Sequence, residues 1–157
     1  MEFLELMNGS DVLIVSFSSC GSKLGRFEFY NLFLNNFNTN IDLCFYQDLK
    51  KKWYHKGIKN ISKNIQETKK YLNNIIKKYK KVIFIGISSG GYAAILFGSL
   101  CKIDCVIAII PQVIIKNPIN KKYKNLKKII YPKTKYILFG NPEIVDINDL
   151  HSIKQCR

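Results

Sequence analysis

Arginine and acidic residues are scarce in this chain. Arginine occurs only at Arg26 and Arg157, and 11 Asp and Glu stand against 25 Lys and Arg, for a formal net charge of +14. Such a charge invites a nucleic-acid reading. Arginine, however, is the residue that makes bidentate contacts to phosphates and base edges, and its near absence argues against specific nucleic-acid binding. Lysine mixed with asparagine and isoleucine supports only weak, salt-sensitive association. Cysteine is scattered: Cys20, Cys44, Cys101, Cys105 and Cys156 are odd in number and contain no C-x-x-C pair. That pattern excludes a disulfide framework and a thiolate zinc site, and suits a reducing, cytoplasmic setting with no metal and no cofactor. No apolar run approaches the roughly 20 residues of a membrane span. The first seven residues carry Glu2 and Glu5 instead of a basic start, so they do not read as a secretory signal.

What is present is an alternation of short apolar runs with helical stripes. At 157 residues and 47% hydrophobic content, residues 1–157 make one domain with a real core. Residues 12–17 (VLIVSF) predict a buried strand, followed by the small-residue loop Ser18-Ser19-Cys20-Gly21-Ser22. Phe27, Tyr30, Phe33, Leu34 and Phe37 recur at helical spacing and predict a helix with an aromatic face. Residues 41–46 (IDLCFY) predict the next strand, leading to Asp48 and the segment WYHKG at 53–57. A second stripe, Ile61, Ile65, Thr68, Leu72, Ile75, Ile76 and Tyr79, predicts a helix with Asn64 and Glu67 as its capping box. Strands follow at 82–85, 105–110 and 136–139, with a basic, irregular excursion over 116–135 and a short terminal helix over 146–155. Apolar strands without polar alternation are what a parallel sheet covered on both faces requires. The expected fold is therefore α/β, with a mostly parallel sheet of about five strands flanked by helices. Sites in such sheets form at the carboxyl ends of the strands, where Ser18, Ser19, Asp48, Ser88, Gln112 and Asp146 all fall.

The stretch Gly86-Ile87-Ser88-Ser89-Gly90-Gly91 sits between the strand at 82–85 and an apolar helix at 91–100. It reads as a G-x-S-x-G nucleophile elbow, in which a strained turn holds the serine hydroxyl above the sheet. Gly86 and Gly90 lie where strand and helix backbones approach closely, and the helix N-terminus points its dipole at the turn, where an oxyanion forming on a substrate carbonyl would be stabilised.

With GISSGGYAA at 86–94 and WYHKG at 53–57, the chain resembles the α/β-hydrolase superfamily over nearly its whole length. The resemblance implies that Ser88 is the nucleophile and that the oxyanion hole is built from the N–H of Ser89 and one N–H of the Ser18–Ser19 loop. It implies the acid at Asp146, with Asp149 nearby, and a sheet lacking the family's last strand. His151 keeps the chain order Ser, Asp, His. His55 precedes the elbow and reads as a surface residue. The implied activity is hydrolysis of an ester or related acyl substrate, a small molecule or a glycan-linked acyl group. Two rivals stay open: a hydrolase-like domain that binds without catalysis, and an acyltransferase or glycan-modifying enzyme using the same serine. An SGNH-type site, with Gly9-Ser10-Asp11 and Asn148-x-x-His151, fits less well. Trp53 and Tyr54 suit either the acyl pocket or the core. The missing strand leaves an open sheet edge on which a second copy could pair to form a homodimer.

Overall fold

The structure is a computed structural model that describes residues 2–36, 40–141, 143 and 151–156. Its elements run β1 (Phe3–Leu6), β2 (Val12–Phe17), α1 (Tyr30–Asn36), β3 (Asp42–Tyr46), α2 (Ile65–Ile76), β4 (Lys81–Ile87), α3 (Ser89–Cys101), β5 (Cys105–Ile109) and β6 (Lys135–Phe139). Short 3-10 turns occupy Lys121–Tyr123, Leu126–Ile129 and Ile153–Cys156. The sheet has six strands in the order β1-β3-β2-β4-β5-β6. β2 through β6 are parallel, as their uninterrupted apolar runs require, and β1 joins β3 antiparallel at one edge. The chain steps from β2 outward to β3 and then returns to the other side of β2 with β4. That reversal opens a crevice at the carboxyl ends of β2 and β4, where the Ser18 loop and Ser88 lie. No helix among the described residues is long and apolar enough to cross a membrane.

One face of the sheet carries Leu13, Val15, Phe17, Val82, Phe84, Val106 and Ala108 into a core shared with α2 and α3. α3 is buried from Ser89 through Ser99, the expectation for a helix apolar on all sides. α2 buries only Ile65, Thr68 and Leu72. Its N-terminus is the expected capping box with the return bond moved one residue back: Asn64 Oδ1 accepts from Glu67 N–H, and Glu67 Oε2 accepts from the N–H of Lys63, just before the N-cap, each at 2.9 Å. Phe17 stacks on Phe97 at 5.6 Å and meets Tyr54 and Phe84 edge-on at 5.5 and 5.4 Å. Burying each such ring contributes roughly 1.5–3 kcal/mol. The opposite face packs Ile14, Leu43, Phe45 and Ile85 against Phe33 of α1.

The mostly parallel sheet flanked by helices is as expected, and three particulars are added to it. The sheet has one strand more than about five, because Phe3–Leu6 pairs with β3; Glu5 disguises it by turning a carboxylate inward to the hydroxyls of Tyr46 and Tyr71, 2.7 and 2.6 Å away. The aromatic helix begins at Tyr30 and not Phe27, since Phe29 takes a left-handed backbone (φ 65°) that a continuous helix excludes. The helix expected over 146–155 lies mostly outside the described residues; its described end is the turn at His151, a bridge from Ser152 to Asn141 and the final 3-10 turn.

Candidate active site

Ser88 closes β4 and caps α3 in a conformation that side chains rarely adopt, φ 54° and ψ −117°. The surrounding backbone over-determines it. Its N–H donates to Ile109 O at 2.9 Å, and its carbonyl accepts from Tyr92 N–H at 3.0 Å and Gln112 N–H at 3.3 Å. The elbow is thus stitched to its own helix and to the exit of β5. A Cβ on Gly86 would overlap the carbonyl of Gly90, and one on Gly90 would overlap the carbonyl of Phe17, so no larger residue fits at either position. Ser88 itself is half-buried.

His151 reaches this serine. Ser88 Oγ and His151 Nε2 are 2.9 Å apart. The same imidazole nitrogen lies 3.1 Å from Gln112 Nε2, and Gln112 Oε1 accepts from the Trp53 indole N–H at 2.5 Å. Four segments distant in sequence therefore converge on one point: the elbow, the β5 exit, the WYHKG segment and the turn at His151.

No protein-family model and no curated protein sequence matches the chain. Solved structures do match. The capsule O-acetyltransferase of Neisseria meningitidis serogroup A aligns with a TM-score of 0.52 and 20% identity, over 71% of this chain and 47% of that one. A variant of that enzyme in complex with CoA aligns over the same shares with a TM-score of 0.53. A lidless α/β serine hydrolase from Xanthomonas campestris aligns over 82% of this chain and 57% of its own, at a TM-score of 0.45 and 9% identity. The chain has an α/β-hydrolase-like fold. It spans about half the length of the O-acetyltransferase structures it matches.

Within this α/β-hydrolase-like fold the loop after β2 is held more tightly than its small residues suggest. Ser18 N–H donates to Tyr46 O at 2.9 Å, continuing the β2–β3 ladder. It is therefore committed and is not an available oxyanion donor in this conformation. Ser19 N–H goes to Glu28 Oε2 at 3.1 Å, and the same carboxylate accepts from the hydroxyls of Ser19 and Ser22. Cys20 N–H donates to Ser89 Oγ at 2.8 Å, which ties the loop to the first turn of α3. Ser89 N–H belongs to that first turn, whose donors have no acceptor inside the helix.

Asp48 and the WYHKG segment form the scaffold under Trp53. Lys51, Trp53 and Tyr54 all have positive φ, a costly run for residues with side chains. Asp48 offsets part of that cost by accepting at Oδ2 from Lys52 N–H (2.6 Å) and Tyr54 N–H (2.9 Å). Its Oδ1 is buried with no hydrogen-bond partner, and burial raises its carboxyl pKa against the lowering effect of the backbone amides of Tyr54, Lys52, Lys50 and Lys51. Tyr54 is core, not pocket: it is fully buried, and its hydroxyl lies 2.8 Å from Ser18 O and 2.9 Å from Tyr46 O.

His55 is not a surface residue. It is buried, Asn120 N–H donates to its Nδ1 at 3.1 Å, and its Nε2 lies 2.7 Å from Tyr92 Oη. The Tyr92 hydroxyl donates to Tyr123 O at 2.7 Å, so its oxygen accepts from His55 Nε2–H. Both ring nitrogens are used by a neutral imidazole, and burial lowers its pKa to about 4. It anchors the 120–123 turn and takes no part at Ser88. The SGNH-type pairing also fails, because Ser10 and Asp11 precede β2 at the opposite end of the sheet, where Asp11 pairs with Lys80 at 2.6 Å. Asp146 and Asp149 lie outside the described residues. Gln112 is the site residue that sequence reasoning places on the rim without a role; its only signal is its position just after a strand stopped by Pro111.

Proposed function

We propose that this chain is a serine hydrolase-type acyl enzyme, with Ser88 as nucleophile, His151 as general base and acid, and Asp146 as the acid that orients His151. One observation carries the reading: a strained-elbow serine whose Oγ stands 2.9 Å from an imidazole nitrogen, within reach for direct proton transfer. In the first half-reaction the Ser88 hydroxyl proton passes to His151 Nε2 as Oγ attacks the acyl carbon. The leaving group then departs with that proton. The carbonyl oxygen becomes an anion against Ser89 N–H and the positive end of α3, a 13-residue helix. A second donor has to come from the loop at Ser19, once Glu28 releases its N–H. The substrate is an ester or related acyl compound. The O-acetyltransferase that shares this fold supports an acyl group passed to a glycan hydroxyl as the second reading.

Intact-protein mass after treatment with a fluorophosphonate probe tests this. Wild type is expected to gain one adduct and Ser88→Ala none, with His151→Ala labelled about a thousand-fold more slowly or worse. A folded wild type that stays unlabelled, or a Ser88→Ala protein that still labels, overturns the assignment.

A further inference from the structure

Gln112 is 8% exposed, and its amide is not free to choose its orientation. The Trp53 indole N–H is a donor only, so the group facing it at 2.5 Å has to be the carbonyl Oε1. The NH2 end is thereby turned to His151, 3.1 Å from Nε2. A donor there requires Nε2 to be the unprotonated nitrogen, whose lone pair also receives the Ser88 hydroxyl at 2.9 Å. Two donors share one lone pair in the free protein. After acylation Ser88 has lost its proton, and the Gln112 amide keeps its place on the base.

The second half-reaction needs that same lone pair. An incoming hydroxyl gives its proton to His151 Nε2 while its oxygen attacks the acyl carbon; the bond from that carbon to Ser88 Oγ breaks, and the proton passes from Nε2 to Oγ. The hydroxyl has to displace the amide first. Water exchanges one hydrogen bond for another and brings nothing more, whereas a bound acceptor brings the binding energy of its other contacts. We propose that Gln112, aimed by Trp53, gates deacylation: it shields the acyl-enzyme from water and reserves His151 for the hydroxyl of a bound alcohol or sugar. The proposal rests on Ser88 being the nucleophile.

Two half-reactions can be separated with p-nitrophenyl acetate, reading acylation from the burst and deacylation from the steady state, with glycerol added as acceptor. Gln112→Met removes the donor at similar volume. Hydrolytic deacylation is expected to rise about ten-fold, and the share of acetyl passed to glycerol to fall. Gln112→Glu keeps an acceptor for Trp53 but offers no N–H to Nε2, and its carboxylate favours the imidazolium; acylation is expected to slow. Lost packing alone would slow both steps in both variants, so opposite signs identify the gate. Trp53→Phe, which frees the amide to turn, is expected to follow Gln112→Met and serves if that protein does not fold. Deacylation and partition unchanged in the folded Met and Phe variants overturn the gate while the nucleophile stands. With no burst in wild type or any variant, the nucleophile assignment itself falls, and the gate with it.

Discussion

Gly86 and Gly90 meet backbone to backbone across the elbow, the α-carbon of the first lying against the carbonyl of the second so closely that a methyl group has no room. This contact lets β4 turn into α3 within two residues and holds Ser88 at φ 54°. Because the obstructing atoms are backbone, the strain cannot be relieved by a rotamer change. Gly86→Ala and Gly90→Ala are each expected to lower unfolding free energy by about 3 kcal/mol or more, measured by urea denaturation. Gly91 is the contrast. A Cβ added there would lie 3.1 Å from the Pro111 side chain, 3.2 Å from the Pro111 α-carbon and 3.3 Å from the Gly86 carbonyl oxygen, tight contacts instead of the outright overlap met at Gly86 and Gly90, so Gly91→Ala is expected to cost less than either.

The elbow was legible because its chemistry is local: a strand, a glycine two residues either side of a serine and an apolar helix all lie within one short window. The capping box of α2 and strands β2 to β6 were legible for the same reason. What escaped depends on distant partners. Phe3–Leu6 becomes a strand only because β3 offers an edge and two tyrosines receive Glu5. Ser18 loses its expected role through a hydrogen bond to Tyr46, 28 positions on by numbering, and His55 becomes a core residue because the 120–123 turn folds over it. Gln112 acquires meaning only when Trp53 and His151 arrive beside it.

Asp48 combines an essential acceptor with an unpartnered oxygen, and the two can be separated by mutation. Asp48→Ala deletes the acceptor of Lys52 N–H and Tyr54 N–H and is expected to cost about 2 kcal/mol while loosening Trp53. Asp48→Asn keeps that acceptor and removes a desolvated charge, so it is expected to match or exceed wild-type stability at neutral pH. The folded carboxyl pKa is raised, so the fold favours the protonated acid. The associated stability is present below the ordinary carboxylate range and is lost as pH rises through the raised value. Urea midpoints of wild type and Asp48→Asn are therefore expected to diverge with rising pH through that window. Parallel curves would show that the Asp48 charge is not the cost.

His55 has the opposite sign. Its pKa falls from an ordinary 6.5 to about 4 in the folded chain, because burial disfavours the charged imidazolium; the nitrogen that would take the proton, Nδ1, already accepts from Asn120 N–H. A group whose folded pKa is depressed contributes stability above its unfolded pKa and loses it as pH falls through the folded one. The window is thus from 6.5 down to about 4, and the full loss across it is about 3 kcal/mol. His55→Gln stays neutral throughout. It is expected to be less stable than wild type at about pH 7.5, by about 1–2 kcal/mol for the disturbed hydrogen bonds. As pH falls through the window wild type alone weakens, so the two stabilities converge and then cross. Because Asp42, Asp48 and the other carboxyls titrate in both proteins, the difference between the two curves isolates the imidazole. A difference that stays constant across the window would mean that His55 takes up its proton in the folded chain as readily as in the unfolded one, and that the bond from Asn120 does not hold its Nδ1 as an acceptor.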